Sequence, residues 1–174
     1  AAGAQSVSIN YSENGCSAAT PTVYPVNVKP LPVPTIVSGP NDVCVNSTGN
    51  VYTTQAGKTN YIWTVVGGTI TAGGTATDNT ATITWTTAGA QSVSINYTDN
   101  GCTIATPSTY AVNVKPIPVP TITSGPAAVC VNTTGNVYTT QAGKTNYVWT
   151  VSAGGTITAG GTATDNTVTV TRTT

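Results

Sequence analysis

The sequence predicts an all-β protein made of β-sandwich repeats of about 86 residues, joined end to end. Three observations lead there. The first is self-similarity: residues 51–63 read VYTTQAGKTNYIW and return at 137–149 as VYTTQAGKTNYVW, an offset of 86 residues. QSVSINY at 5–11 returns at 91–97, Cys16 at Cys102, Cys44 at Cys130, and the KPLPVP of 29–34 as KPIPVP at 115–120. A period this long exceeds the roughly 20–50 residues of most solenoid repeats and suits a small domain in its own right. The second observation is that apolar residues alternate with period two in short runs, and no 3.6-residue stripe survives the density of Thr, Val, Gly and Pro. The third is the punctuation of those runs by Gly, Asn and Asp turns.

One uninterrupted repeat, residues 31–117, gives the element order. After the proline-rich joint a strand covers 35–38, Gly39-Pro40-Asn41-Asp42 turns, and a short strand covers 43–45. The polar loop 46–50 leads to a strand at 51–54. A turn over 55–59 leads to a strong strand at 61–66, with Tyr61, Trp63 and Val65 on one face. Gly67-Gly68 turns into a strand at 69–72 that Gly73-Gly74 ends. In 80–86, Ala81, Ile83 and Trp85 point one way and the threonines the other; in 92–97, Val93, Ile95 and Tyr97 do the same. Asn100-Gly101 is a hairpin dipeptide, and Tyr110, Val112 and Val114 face inward from a last strand at 110–114. Seven or eight short strands with one apolar face each make a two-sheet sandwich.

By this phasing residues 1–30 are the C-terminal part of a preceding repeat and 118–174 the N-terminal part of a following one. Two explanations stand open. The sequence is a window on a longer array, or the incomplete parts of neighbouring molecules complete each other; the first is preferred, and the missing edges are an aggregation liability either way. The Lys-Pro-x-Pro-x-Pro joint holds the chain near polyproline II, so successive sandwiches form a semi-rigid rod.

Composition narrows the function. Charged residues make up 6% of the chain against roughly 25% in ordinary domains, the net charge is zero, and there is no His, Met or Phe. Solubility rests on hydroxyls and amides. Nothing resembles the basic patch that nucleic-acid binding needs, and no apolar run is long enough to insert in a membrane. Without His, and with each acid at a predicted turn, acid–base catalysis has no candidate residues, so the chain reads as a non-enzyme without cofactor. The acids are Glu13, Asp42, Asp78, Asp99 and Asp165. Calcium would require several of them to converge, with no EF-hand-like spacing to suggest it. Lys58 and Lys144 read as loop lysines rather than isopeptide donors. Four N-x-S/T matches, at Asn10, Asn46, Asn96 and Asn132, are what chance gives in so Thr- and Asn-rich a chain.

Four cysteines at matching positions, with no His and no CxxC spacing, point to disulfides rather than zinc, and so to a compartment outside the cytosol. Pairing Cys44 with Cys102 closes a loop of roughly 60 residues, worth about 3–4 kcal/mol in the chain-entropy picture. It leaves Cys16 and Cys130 to partners in adjacent repeats or a neighbouring molecule. The competing pattern joins Cys16 to Cys44 and Cys102 to Cys130 across the joints. The first is preferred, because each sandwich then matures alone. Trp63, Trp149 and Tyr97 sit mid-strand among alternating apolar residues and are expected in the core. Trp85 differs: its counterpart is Arg172, and a position that takes both is expected at a rim, where the indole is a candidate for stacking on a sugar ring.

The order GPxxVCxNxTGNVY (39–52), TNYxWTV (59–65), GGTIT (67–71), TxTxTW (80–85), AGxQSVSxNY (88–97), NGC (100–102) and YxVNVKPxPxP (110–120) resembles the PKD-like, immunoglobulin-like repeats of giant Bacteroidota cell-surface adhesins, among them the mobile filaments of gliding flavobacteria. The likeness spans the whole chain. It implies a stalk unit of a long outer-membrane-attached filament, exported by the type IX pathway and used in surface attachment and gliding motility. The partners implied are neighbouring repeats, surfaces or polysaccharides, and a gliding machinery that regions outside this sequence would contact. The alternative is a spacer or carbohydrate-binding module of a secreted polysaccharide-degrading enzyme.

Overall fold

Alternation of apolar and hydroxyl side chains gives strands throughout: every regular element among residues 1–173, which this computed structural model describes, is β. The chain divides into two compact units, Ala1–Ile117 and Pro118–Thr174, each considered by itself. Residues 1–30, by the sequence phasing the C-terminal part of a preceding repeat, lie in the same compact unit as the complete repeat that follows.

The first unit begins with a hairpin. Strand β1 (Gly3–Ile9) pairs antiparallel with β4 (Thr22–Val28), and its far end carries the small ladder of β2 (Ser12–Glu13) and β3 (Cys16–Ser17). The complete repeat then supplies β5 (Ile36–Ser38), β6 (Asp42–Cys44), β7 (Asn50–Thr54), β8 (Thr59–Val66), β9 (Gly68–Gly73), β10 (Thr80–Trp85), β11 (Gly89–Asp99), β12 (Cys102–Thr103) and β13 (Ser108–Lys115). One sheet has the order β5-β7-β10-β9. In the other, β11 lies between β8 and β13, β6 joins β13 in parallel, and β12 folds back on the end of β11. The two sheets form the sandwich that the sequence predicts, and β12 is the strand that its pattern does not announce.

The inward faces are those set by the period-two pattern. Tyr52, Tyr61, Trp63, Ala81, Ile83, Trp85, Val93, Ile95, Tyr97, Val112 and Val114 form one buried cluster. Each large apolar member contributes about 1.5–3 kcal/mol by leaving water. The chain changes sheet between β5 and β6, and one tyrosine from each sheet holds the crossing. Tyr52 Oη donates to Pro40 O (2.8 Å) and Tyr110 Oη to Gly39 O (2.9 Å), their rings edge-to-face at 6.0 Å. The Tyr52 ring packs so tightly on Gly39 that any Cβ there would collide with it. At the β11–β12 turn Asn100 and Gly101 both take positive φ (50° and 82°), the backbone for which an Asn-Gly pair is suited.

The second unit repeats only one sheet. Strands β14 (Ile122–Ser124), β15 (Asn136–Thr140), β16 (Gly155–Gly160) and β17 (Thr167–Arg172) have the order β14-β15-β17-β16, the counterpart of β5-β7-β10-β9. Residues 145–152, the counterpart of β8, form no strand. β8 is held by β11, and unit 2 holds no equivalent of β11 to pair with.

Candidate functional site: the joint between repeats

A molecule built as a series must control its joints, and the side chains that do so here come from three elements. The segment 29–35 runs from the end of β4 to the start of β5. At its beginning, Lys29 Nζ donates to Asn100 O (2.7 Å) in the β11–β12 turn. In its middle, Tyr97 Oη donates to Val33 O (3.1 Å). At its end, Gln55 clamps Thr35: Thr35 N donates to Gln55 Oε1 (3.3 Å), and Gln55 Nε2 donates to Thr35 Oγ1 (2.6 Å) and Val33 O (3.4 Å). Thr54 Oγ1, on a residue that is 1% exposed, closes the set by donating to Thr35 O (2.7 Å). Prolines cannot donate from the backbone, so their neighbours' carbonyls need side-chain donors. The hydroxyls and amide of Thr54, Gln55 and Tyr97 meet that need.

Unit 2 builds the same clamp. Gln141 bonds Thr121 N (3.2 Å), Thr121 Oγ1 (2.8 Å) and Val119 O (3.2 Å), while Thr140 Oγ1 donates to Thr121 O (2.6 Å). Sequence reading takes residues 55–59 for a simple turn and misses this role. The signal available was the unchanged TTQAG in both copies, at 53–57 and 139–143.

The sequence-derived site residues fall elsewhere. Cys44 lies on β6 opposite Lys115, at one end of the sandwich, and Cys102 lies opposite Asp99 at the other. The length of the 11-residue strand β11 separates them, on the order of 30 Å, where a disulfide needs Cα atoms within roughly 7 Å. The Cys44–Cys102 bridge is therefore corrected: this fold cannot make it. Cys16 stands at the end of its hairpin away from Lys29, and all four cysteines are free thiols.

Trp85 is the second correction. It is fully buried, its Nε1 donates to Tyr52 Oη (3.1 Å), and the two rings meet edge-to-face at 6.0 Å. It is a core residue and offers no face to a sugar. Its counterpart Arg172 donates from Nη1 to Ser152 Oγ (3.4 Å), and nothing in the structure explains the exchange. Trp63 is 8% exposed and donates from Nε1 to Asp78 O (3.0 Å); Tyr97 is 3% exposed. Trp149 keeps the corresponding bond to Asp165 O (2.9 Å) and is half-exposed beside the single sheet of unit 2.

The charged groups serve local turns and two separate ion pairs. Asp78 Oδ2 accepts from Thr75 N (3.1 Å) and Thr75 Oγ1, which hold its pKa below the usual carboxylate value. Asp165 does the same with Thr162. Asp42 pairs with Lys115 (2.5 Å) and Asp99 with Lys58 (2.6 Å). Hydrogen bonding to Lys115 lowers the Asp42 pKa, and the bond to Asp99 raises that of Lys58. Among the described residues no three metal-ligating side chains converge. Of the four sequon asparagines Asn96 is buried, with its amide donating to Ile104 O (2.8 Å) and closed to modification.

A family model described as a PKD-like domain matches residues 29–112 and again 116–174. The chain belongs to the PKD-like domain family. Both matches begin in or next to a Lys-Pro joint, so the PKD-like repeat carries its proline segment and clamp at its own entrance. Among solved structures, one match is to domains 4 and 5 of the S-layer protein SbsC, at 16% identity and TM-score 0.36. It covers 54% of this chain and 59% of that one. No curated protein matches in sequence. PKD-like domains are a non-catalytic kind of module and point to an extracellular or surface setting.

Proposed function

We propose that this chain is a structural and adhesive segment of a long cell-surface filament, one that serves surface attachment and, in a gliding cell, motility. The observation that carries the reading is the joint. A repeat that spends Thr54, Gln55, Tyr97 and the Lys29–Asn100 contact on fixing its own entrance segment is suited to transmit orientation along a series. A flexible spacer would leave that segment free. The nearly uncharged hydroxyl surface fits contact with surfaces or polysaccharide through hydrogen bonds, which salt screens little. The carbohydrate-module alternative loses its stacking residue with the burial of Trp85.

Electron microscopy of arrays with increasing repeat number tests the proposal. A stiff filament lengthens by a constant increment per repeat. An end-to-end distance that grows as the square root of repeat number, as for a flexible linker, would refute it. Adhesion is tested by retention of fluorescent arrays on polysaccharide-coated glass. Retention unchanged from about 0.05 to 1 M salt supports the hydrogen-bonded contact, and release at high salt refutes it.

A further inference from the structure

The two sheets of the complete repeat end in the edge strands β5, β9, β6 and β8, and the first three carry a device that blocks further pairing. β5 is three residues long and lies between Pro34 and Pro40. β6 is as short, with the Asp42–Lys115 ion pair beside it. β9 is bent by a bulge opposite Thr82 and Ile83. Short strands, prolines, charges and bulges are the usual means of closing an edge. β8 has none of them over residues 62–66, and it pairs with β11 on one side only.

Backbone groups along a strand point alternately to its two sides. Tyr61 N turns away from β11 and donates to Ala76 O (3.0 Å), and Gly67 O accepts from Thr86 N (2.9 Å). Trp63 and Val65, between those two caps, point the same way, and among the described residues their N–H and C=O groups meet no partner. On the outer face beside them Ile62 and Val66 are 57% and 58% exposed. All of these residues belong to the complete repeat, whose two sheets close on each other. The joints lie elsewhere. The entrance segment reaches the β11–β12 turn, and the chain leaves past Val114, opposite Gly89 at the other end of β11.

This window matches a second copy of itself. Turned about a two-fold axis at Thr64, two β8 strands lie antiparallel with Trp63 of each opposite Val65 of the other, and these residues exchange N–H···O=C bonds. On the outer face Ile62 of each copy meets Val66 of the other, an apolar cross-strand pair. β8 carries no charge, and Lys58 beside it is already paired with Asp99, so no like charges oppose.

We propose that β8 of the complete repeat pairs with β8 of a second copy, joining two sandwiches edge to edge in one continuous sheet. The contact is β-augmentation of an isologous, closed kind. A single contact is small and weak, and a series of repeats multiplies it. β8 runs antiparallel to β11, along the line from entrance to exit, so paired arrays run in opposite directions. That is the arrangement of filaments from two facing cells. This last step rests on the filament reading; the pairing itself does not.

Cysteine cross-linking tests it, on the chain with Cys16, Cys44, Cys102 and Cys130 changed to serine. In the paired state Thr64→Cys lies opposite itself at a non-hydrogen-bonded position, with Cα atoms roughly 4.5 Å apart and in reach of a disulfide. Glutathione disulfide should convert it to a covalent dimer by thiol–disulfide exchange, the two chain thiols being oxidised and the oxidant reduced to two glutathione thiols. Chains with Ile62→Cys should link to chains with Val66→Cys and not to themselves. Adding Ile62→Lys and Val66→Lys to Thr64→Cys sets like charges across the axis and should abolish the dimer. Ile62→Lys with Val66→Glu sets opposite charges there and should restore it, with far-UV circular dichroism confirming the fold of each variant. No dimer of Thr64→Cys overturns the proposal. So does equal linkage at all three positions, or a dimer indifferent to the charge variants. A stiff array that gives no cross-link removes this proposal and leaves the filament reading standing; a flexible array that cross-links does the reverse.

Discussion

Trp85 concentrates what single residues do in this fold. Its indole fills the space between sheets, and its N–H is satisfied by Tyr52, whose own hydroxyl reaches the sheet-crossing carbonyl of Pro40. Removing it leaves a large cavity and an orphaned hydroxyl, so Trp85→Ala should cost about 3–5 kcal/mol in urea unfolding. A loss below about 1 kcal/mol would place the indole at the rim after all. Gly39 makes the complementary case. A methyl group there meets the Tyr52 ring, so Gly39→Ala should cost about 1–3 kcal/mol by displacing that ring, although the new side chain is small. The alternation of β10 made Trp85 legible as inward-facing. The Trp-to-Arg exchange with residue 172 pointed the other way, and nothing in the structure explains that exchange.

Among elements, the strands were legible and the joint was not. Strands announce themselves by period two and by the turns between them, most clearly in the four where Tyr61, Ile83, Val93 and Val112 alternate with polar neighbours. The clamp has no such period. Thr54, Gln55 and Tyr97 come together only because β7 and β11 bring distant positions to one end of the sandwich. The prediction at this scale is that Tyr97→Phe and Gln55→Ala each cost about 0.5–1.5 kcal/mol in unfolding while loosening the joint. Hydrogen exchange at the Thr35 amide is the measurement, and protection unchanged by Gln55→Ala would contradict the clamp. The thiols belong to this scale too. Cys44 lies beside Lys115, and Lys29, the counterpart of Lys115, reaches the turn that bears Cys102. If every joint repeats the Lys29–Asn100 contact, the β6 cysteine of one repeat is the one that would meet the turn cysteine of the next. Oxidising an array one repeat longer with glutathione disulfide should link Cys44 to the cysteine one period after Cys102. Non-reducing peptide mapping reads the outcome, and a Cys44–Cys102 bridge would overturn the placement.

For the whole molecule the governing fact is how little of it titrates near neutrality. It has five basic and five acidic side chains and no His. Asp42, Asp78 and Asp165 have pKa values held below 3.8 by their partners, so each favours the folded state above that value. Their contribution is lost as pH falls through the lowered folded values, where the native carboxylates finally take up protons. At the other end, burial raises the pKa of Tyr52 and Tyr97 above 10.0, and hydrogen bonding to Asp99 and Asp42 raises Lys58 and Lys115 above 10.5. Below those values the native and unfolded chains bind the same protons at these groups. Above them the unfolded chain deprotonates first, and stability falls as pH rises through the folded values. Melting temperature should therefore be level from about pH 5 to 9 and decline on both sides. Both ion pairs lie at the surface, with side chains a quarter to a half exposed, so added salt should leave the plateau in place. Calorimetry across pH 3 to 11 at two salt concentrations measures this. A step in melting temperature centred between about pH 6 and 8 would require a buried titrating group that these contacts do not contain, and would mean that the folded state has a polar core other than the one described.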